Sequence, residues 1–234
     1  IYTVTLTLSS MSLPTAVSKV VSTRLARGEE RNAARVLAVA LAFALVMGLF
    51  SFSLLYFGAP GLESLYHTEG LARPLRVLAP TSFLFAFLGV MRGYTQGSGT
   101  MVPTAISQVV DQCFNAVISI VAAWGLMNLH SAAADGAAWG AMGGTLGTLA
   151  GAVTSFAFMA IYMLRRVPEI RLRARREAQE ENENAALAAR ALVMTILPIV
   201  FSQTIYQIGY TIDDVVFSRM MNAAGTAATA VTSM

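Results

Sequence analysis

The sequence predicts an all-α fold, a polytopic bundle of transmembrane helices. Three observations predict it. Only 12% of the 234 residues are charged, against about 25% in a soluble domain, while 56% are hydrophobic and the mean hydropathy is +0.61. Several uncharged runs are long enough to cross an apolar core about 30 Å thick. The charged residues gather in short connectors, two of them strongly basic.

The spans follow in order. Residues 1–22 form the first, uncharged until Lys19, with Pro14 as a kink and many Ser and Thr that can bond back to the backbone. Residues 23–35 are a charged connector with Gly28 near its middle. Residues 36–58 are a second, uncharged span that Ala59-Pro60-Gly61 is expected to end, and 62–74 read as a loop in which His67 is solvated. Residues 75–97 and 100–127 are the third and fourth spans, with Pro80 and Pro103 near their starts, where proline is best tolerated. Residues 136–164 are the fifth span, and two glycine sets repeat every fourth residue along it: Gly136, Gly140 and Gly144, then Gly143, Gly147 and Gly151. Small residues so spaced let helix backbones approach closely, which favours packing over ligand binding. Residues 165–190 are a hydrophilic, partly helical connector, and 191–212 are a sixth span ending at Asp213-Asp214.

The third and fourth spans make a hairpin around Gln96-Gly97-Ser98-Gly99-Thr100. That reading can be checked against charge, because Lys and Arg concentrate on the cytoplasmic side. With the hairpin in place, connectors 23–35, 97–100 and 165–190 share one side, which receives thirteen of the sixteen Lys and Arg residues. Were 75–127 a single span, the two basic clusters would fall on opposite sides. Those three connectors are therefore expected to be cytoplasmic.

Function is expected where polar groups enter the apolar zone, since an ionisable side chain at membrane depth is costly. Arg92 lies toward the cytoplasmic end of its helix, as do Lys19 and Arg24. Each is either a cation for an anionic substrate or a side chain reaching for lipid headgroups. Asp111 lies about 15 Å along its helix from the turn, near the midplane, and Gln108, Gln112 and Asn115 are expected on its face by their three- and four-residue spacing. Asp111 either lines a cavity, where it takes a coupling proton or monovalent cation, or forms an inter-helix lock, or fixes packing by hydrogen bonds.

Other chemistry is poorly supported. Asp213 and Asp214 have no companion ligands, so no metal site and no cofactor are expected. No nucleophile–base arrangement and no phosphate-cradling loop appear, so the chain is not read as an enzyme. The single Cys113 excludes an intrachain disulfide. The basic connector faces anionic lipid rather than nucleic acid.

Arg92-Gly93-Tyr94-x-Gln96-Gly97, followed by Met101-x-Pro103-Thr104-Ala105-x-Ser107-Gln108-x-x-Asp111-Gln112, resembles the polysaccharide biosynthesis and stage V sporulation protein B type of transporter. That family sits in the multidrug/oligosaccharidyl-lipid/polysaccharide exporter superfamily, beside the lipid II flippases. Leu13-Pro14-x-Ala16-x-Ser18-Lys19-x-x-Ser22 resembles its second helix, and Gly143, Gly147 and Gly151 fit its sixth. The resemblance implies a longer protein of two six-helix lobes. Residues 1–164 would be the first lobe without its first helix, 165–190 the inter-lobe connector, and 191–234 the truncated start of the second lobe. It further implies alternating access in the cytoplasmic membrane, with a lipid-linked saccharide as substrate, membrane lipids around it and cell-envelope biosynthesis proteins as partners. On that map Arg92, Lys19, Gln96, Gln108, Gln112 and Asn115 would bind substrate and Asp111 would couple or gate. A cation-coupled multidrug exporter of the same fold and a non-transporting membrane scaffold are the alternatives.

Overall fold

A computed structural model describes residues 13–66, 70–129, 136–176 and 186–199, with residues 201, 202, 205 and 209. All of its regular structure is helical among the described residues. The helices are α1 (Leu13–Ala26), α2 (Glu30–Tyr66), α3 (Ala72–Gly97), α4 (Val102–Leu129), α5 (Gly136–Arg176) and α6 (Ala186–Ile199). Four of them, α2 to α5, are long and apolar enough to cross a membrane, and the chain is an integral membrane protein.

The turns are built by specific residues. α1 ends where Gly28 adopts φ +78°, with Glu29 N–H bonded to Arg24 C=O at 2.9 Å and Gly28 N–H to Leu25 C=O at 3.0 Å. α3 ends in the same way at Gly99, φ +83°, with Thr100 N–H on Thr95 C=O at 3.1 Å and Gly99 N–H on Gln96 C=O at 3.0 Å. Both are paired 6→1 and 5→2 closures that satisfy the last carbonyls, and both need the left-handed backbone that glycine adopts without strain. At the other end of the bundle, the Glu63 carboxylate accepts from Gly70 N–H at 2.9 Å and Ala72 N–H at 2.8 Å. An acidic group on the free N–H groups that open α3 also meets the positive end of the helix dipole.

Two helices run further than the sequence suggests. α2 continues through Pro60 to Tyr66, so the stop expected at 59–61 is absent and the loop expected at 62–74 is shorter. Proline removes one hydrogen bond, but unwinding the helix in an apolar medium would strand several backbone groups. α5 continues past Leu164 and through Pro168 to Arg176. At about 1.5 Å per residue its 41 residues span roughly 60 Å, twice the apolar core. The first part of the expected hydrophilic connector is thus a helical stem, and α6 begins at Ala186 rather than at 191. Residues 1–12, His67, Asp213 and Asp214 lie outside the described residues.

α3 is the central helix, packed on α1, α2 and α5, whereas α4 packs almost wholly on α5. Glycines set these distances. A Cβ at Gly93 would lie 2.6 Å from Pro14 O, and one at Gly97 would lie 2.8 Å from Ser18 O, so α3 and α1 touch backbone to backbone. On α5, a Cβ at Gly143 would meet the Ala122–Ala123 backbone, one at Gly147 would lie 2.7 Å from Asn115 O, and one at Gly151 would lie 2.6 Å from Asp111 O. The second glycine set is therefore the α4–α5 contact. Gly144, in the first set, faces open space.

One cavity of about 250 Å³ touches Glu30 at the start of α2, Ser98 and Thr100 in the hairpin turn, and Arg166 and Arg173 on the α5 stem. The three connectors assigned to one side by charge therefore lie at one end of the bundle. Single cysteines introduced for Ser98 and Arg171, in a Cys113→Ser background, should be labelled by an impermeant thiol reagent from the same side of sealed vesicles. A cysteine for Ser64 should be labelled only from the other.

Gly147→Ala should lower thermal stability in detergent by about 1–3 kcal/mol, because the added methyl overpacks the α4–α5 contact. Gly144→Ala meets nothing within 4 Å and should be neutral or stabilising by about 0.5–1 kcal/mol through helix propensity. Equal effects of the two substitutions would contradict this packing.

Candidate functional site: a buried arginine–aspartate node

α4 has its polarity reversed relative to a soluble helix. Its buried residues are Pro103, Thr104, Ser107 and Asp111, while Ile106, Val109, Val117, Ile120 and Trp124 are exposed. Thr104, Ser107 and Asp111 fall on one stripe through their three- and four-residue spacing. In an apolar solvent the polar stripe turns inward, against neighbouring helices.

Arg92 on α3 is what the stripe faces. Its Nε–H donates to Ser107 Oγ at 2.9 Å and its Nη2 to Ser155 Oγ of α5 at 2.8 Å. Nη2 lies 3.7 Å from Asp111 Oδ2, and both side chains are only 8% exposed. Ser107 passes its own proton to Thr104 C=O at 2.8 Å, and the Thr95 and Thr104 hydroxyls meet at 3.1 Å. One guanidinium thus ties α3, α4 and α5 together. Its direct hydrogen bonds go to neutral hydroxyls, and its charge is balanced by a carboxylate slightly beyond hydrogen-bond range.

The glycine contact makes this possible. Gly151 lets Asp111 approach α5, and Ser155 is the next residue of the ladder Gly143, Gly147, Gly151. Below the node the seam stays polar. Ser119 Oγ lies 2.8 Å from Asn115 Oδ1 and 2.9 Å from Gly144 C=O.

The structure gathers some of the residues predicted from sequence and separates others. Arg92 and Asp111 are together, and Asn115 is half-buried in the same seam. Gln108 and Gln112 are exposed on the flank of the stripe, roughly 60° and 100° around α4 from Asp111, so the single shared face is corrected to two. Gln96 is half-buried at the end of α3. Lys19 is exposed and lines a separate groove of about 390 Å³ with Thr195, Pro198, Ile199 and Ser202, where α1 faces α6. Arg92 is buried between α4 and α5, so it does not reach out to lipid headgroups, and Arg24 is paired with Glu29 at 3.3 Å. Sequence reasoning did not assign roles to Ser155, Thr95 or Ser119. The ladder that carries on from Gly151 to Ser155 was the available signal.

Comparison with known proteins follows the same lines. No protein-family model matches the chain. Stage V sporulation protein B of Bacillus subtilis (strain 168) is 28% identical over 228 residues, covering 97% of this chain and 42% of that protein. Lipid II flippase MurJ of the same organism is 26% identical over 139 residues, covering 56% of this chain and 26% of that protein. The chain thus spans less than half the length of either. Among solved structures, the inward-facing conformation of a multidrug resistance MATE family transporter of the MOP superfamily matches with a TM-score of 0.59 at 16% identity, over 85% of this chain and 42% of that one. The chain is therefore related in sequence to the sporulation protein and the lipid II flippase, and its helices have the fold of part of a MOP-superfamily transporter.

Proposed function

We propose that the chain is the larger part of one lobe of a membrane transporter, working by alternating access in the cytoplasmic membrane, and that its substrate is a lipid-linked saccharide. The observation that carries the reading is the charged node sealed inside spans that are otherwise apolar. A scaffold needs no such group, and a buried ion pair is poor evidence for stability alone. Sequence relation to a protein named as a lipid II flippase supports the substrate class.

In this reading Asp111 is the coupling or gating residue. The two serine bonds of Arg92 do not involve Asp111, so in this reading a proton or monovalent cation alters the pair without releasing α3 from α4 and α5. Substrate meets the chain elsewhere, at the groove between α1 and α6. Lys19 supplies a cation for a pyrophosphate there, and Thr195 and Ser202 line the same groove. Gln96, Gln108 and Gln112 do not line that groove and are given no substrate contact in this reading. A cation-coupled multidrug exporter is the second reading, and a lysine in the groove counts against an organic cation.

The test is transport by the full-length protein in sealed vesicles. Labelled lipid-linked saccharide should change leaflets with the wild type, and a cationic dye should not. Asp111→Asn should slow transport by about tenfold or more, one decade being about 1.4 kcal/mol, with Lys19→Ala acting on substrate affinity instead. Wild-type transport by monodisperse Asp111→Asn would show that the charge is not needed, and dye efflux would favour the second reading.

A further inference from the structure

The cavity at the basic end lies inside the lobe, not at the groove where α1 faces α6. Its floor is Tyr94, only 7% exposed, and its walls are the start of α2, the hairpin turn and the α5 stem. The α5 sequence changes from apolar to basic between Leu164 and Arg165, so the cavity opens where that helix leaves the hydrocarbon. Arg166 lies over the Tyr162 ring, its Cζ 5.6 Å from the centroid, as expected of a side chain at a membrane interface.

The lining charges balance, with Arg166 and Arg173 set against Glu30 and Glu169. They form a chain: Arg166 to Glu169 at 2.9 Å, Glu169 to Arg173 at 2.6 Å, and Arg173 to Glu30 at 3.7 Å. The last contact is longer than a charge-assisted hydrogen bond of about 2.7–2.9 Å. Glu30 and the outer N–H groups of Arg173 therefore keep capacity for a further partner. All four side chains are between 35% and 57% exposed, so a ligand reaches them without unfolding anything. Ser98 and Thr100 of the hairpin turn line the same cavity, and the Ser98 hydroxyl, which donates to Tyr94 C=O at 2.8 Å, can still accept a hydrogen bond. A volume of 250 Å³ is below the range of about 300–1,000 Å³ usual for whole ligands, and suits a headgroup better than a saccharide.

We propose that this cavity binds the zwitterionic headgroup of a phospholipid, a phosphodiester carrying a primary ammonium. The phosphate oxygens take the N–H groups of Arg166 and Arg173 that Glu169 leaves unused. The ammonium donates to Glu30 and to the hydroxyls of the hairpin turn. A net-neutral lining disfavours a purely anionic lipid, and a trimethylated amine cannot make the ammonium's hydrogen bonds. The bound lipid would bridge the α5 stem, the hairpin turn and α2.

Full-length protein equilibrated with equimolar phosphatidylethanolamine, phosphatidylcholine and phosphatidylglycerol, then detergent-exchanged, tests this by native mass spectrometry. Phosphatidylethanolamine should be retained about fivefold over each of the others, since half-exposed charge pairs are individually weak. Glu30→Gln should remove the discrimination against phosphatidylglycerol. Arg166→Gln with Arg173→Gln should remove retention, while Arg171→Gln, outside the cavity, should not. Soluble phosphoethanolamine should displace the lipid. Equal retention of the three lipids, preference for phosphatidylglycerol, unchanged retention in the double variant, or a lipid that phosphoethanolamine cannot displace would each overturn the proposal. None of these readouts depends on transport.

Discussion

The structure depends on one constraint. A guanidinium inside an apolar bundle must find all its partners within the bundle. Arg92 finds them on two neighbouring helices: Ser107 and Asp111 on α4, and Ser155 on α5. Two opposite charges about 4 Å apart attract by roughly 4 kcal/mol at an effective dielectric near 20, and desolvating them costs a comparable amount. The pair therefore adds little net stability. What it does is make one arrangement of α3, α4 and α5 far better than any arrangement that leaves the arginine or the aspartate alone.

The small residues follow from this constraint. Short side chains such as Ser and Asp reach a shared guanidinium only if the helices nearly touch. Gly147 and Gly151 provide that on α5, while Gly93 and Gly97 serve a separate contact, where α3 meets α1. Without water to drive apolar faces together, close packing and internal hydrogen bonds are what hold such helices. The polar stripe of α4 and the glycine ladder of α5 are thus two halves of one contact. The outer face of α4, with Val109, Val117, Ile120 and Trp124, is left apolar.

Much of this was legible in the sequence. The hairpin could be read because two apolar runs flank a Gly-rich turn and because charge parity requires it. Arg92 and Asp111 stood out as charges in apolar runs. The extension of α2 through Pro60 was hidden because proline ends helices in water more readily than in an apolar medium. Residues 165–190 were expected to be partly helical, but the continuity of the α5 stem with its span was hidden because its composition resembles an exposed connector, although Glu169 bonds to both Arg166 and Arg173 at three- and four-residue spacing. Ser155 was passed over, despite its place at the end of the glycine ladder, because serine and threonine in such helices usually bond back to the backbone, as Thr154 does to Ala150 C=O at 2.9 Å. Gln108 and Gln112 were misplaced because spacing gives relative angles on a helix, not which side meets a neighbour.

The central claim is that Arg92 and Asp111 act on the fold as a unit. A double-mutant cycle with Arg92→Met and Asp111→Leu, read by thermal unfolding of the purified protein in detergent, measures it directly. Each single substitution should destabilise by about 3–5 kcal/mol by stranding its partner, and the double variant should recover most of that loss. Additive losses in the double variant would mean that the two residues hold the bundle independently, and the node would not be the unit on which the packing rests.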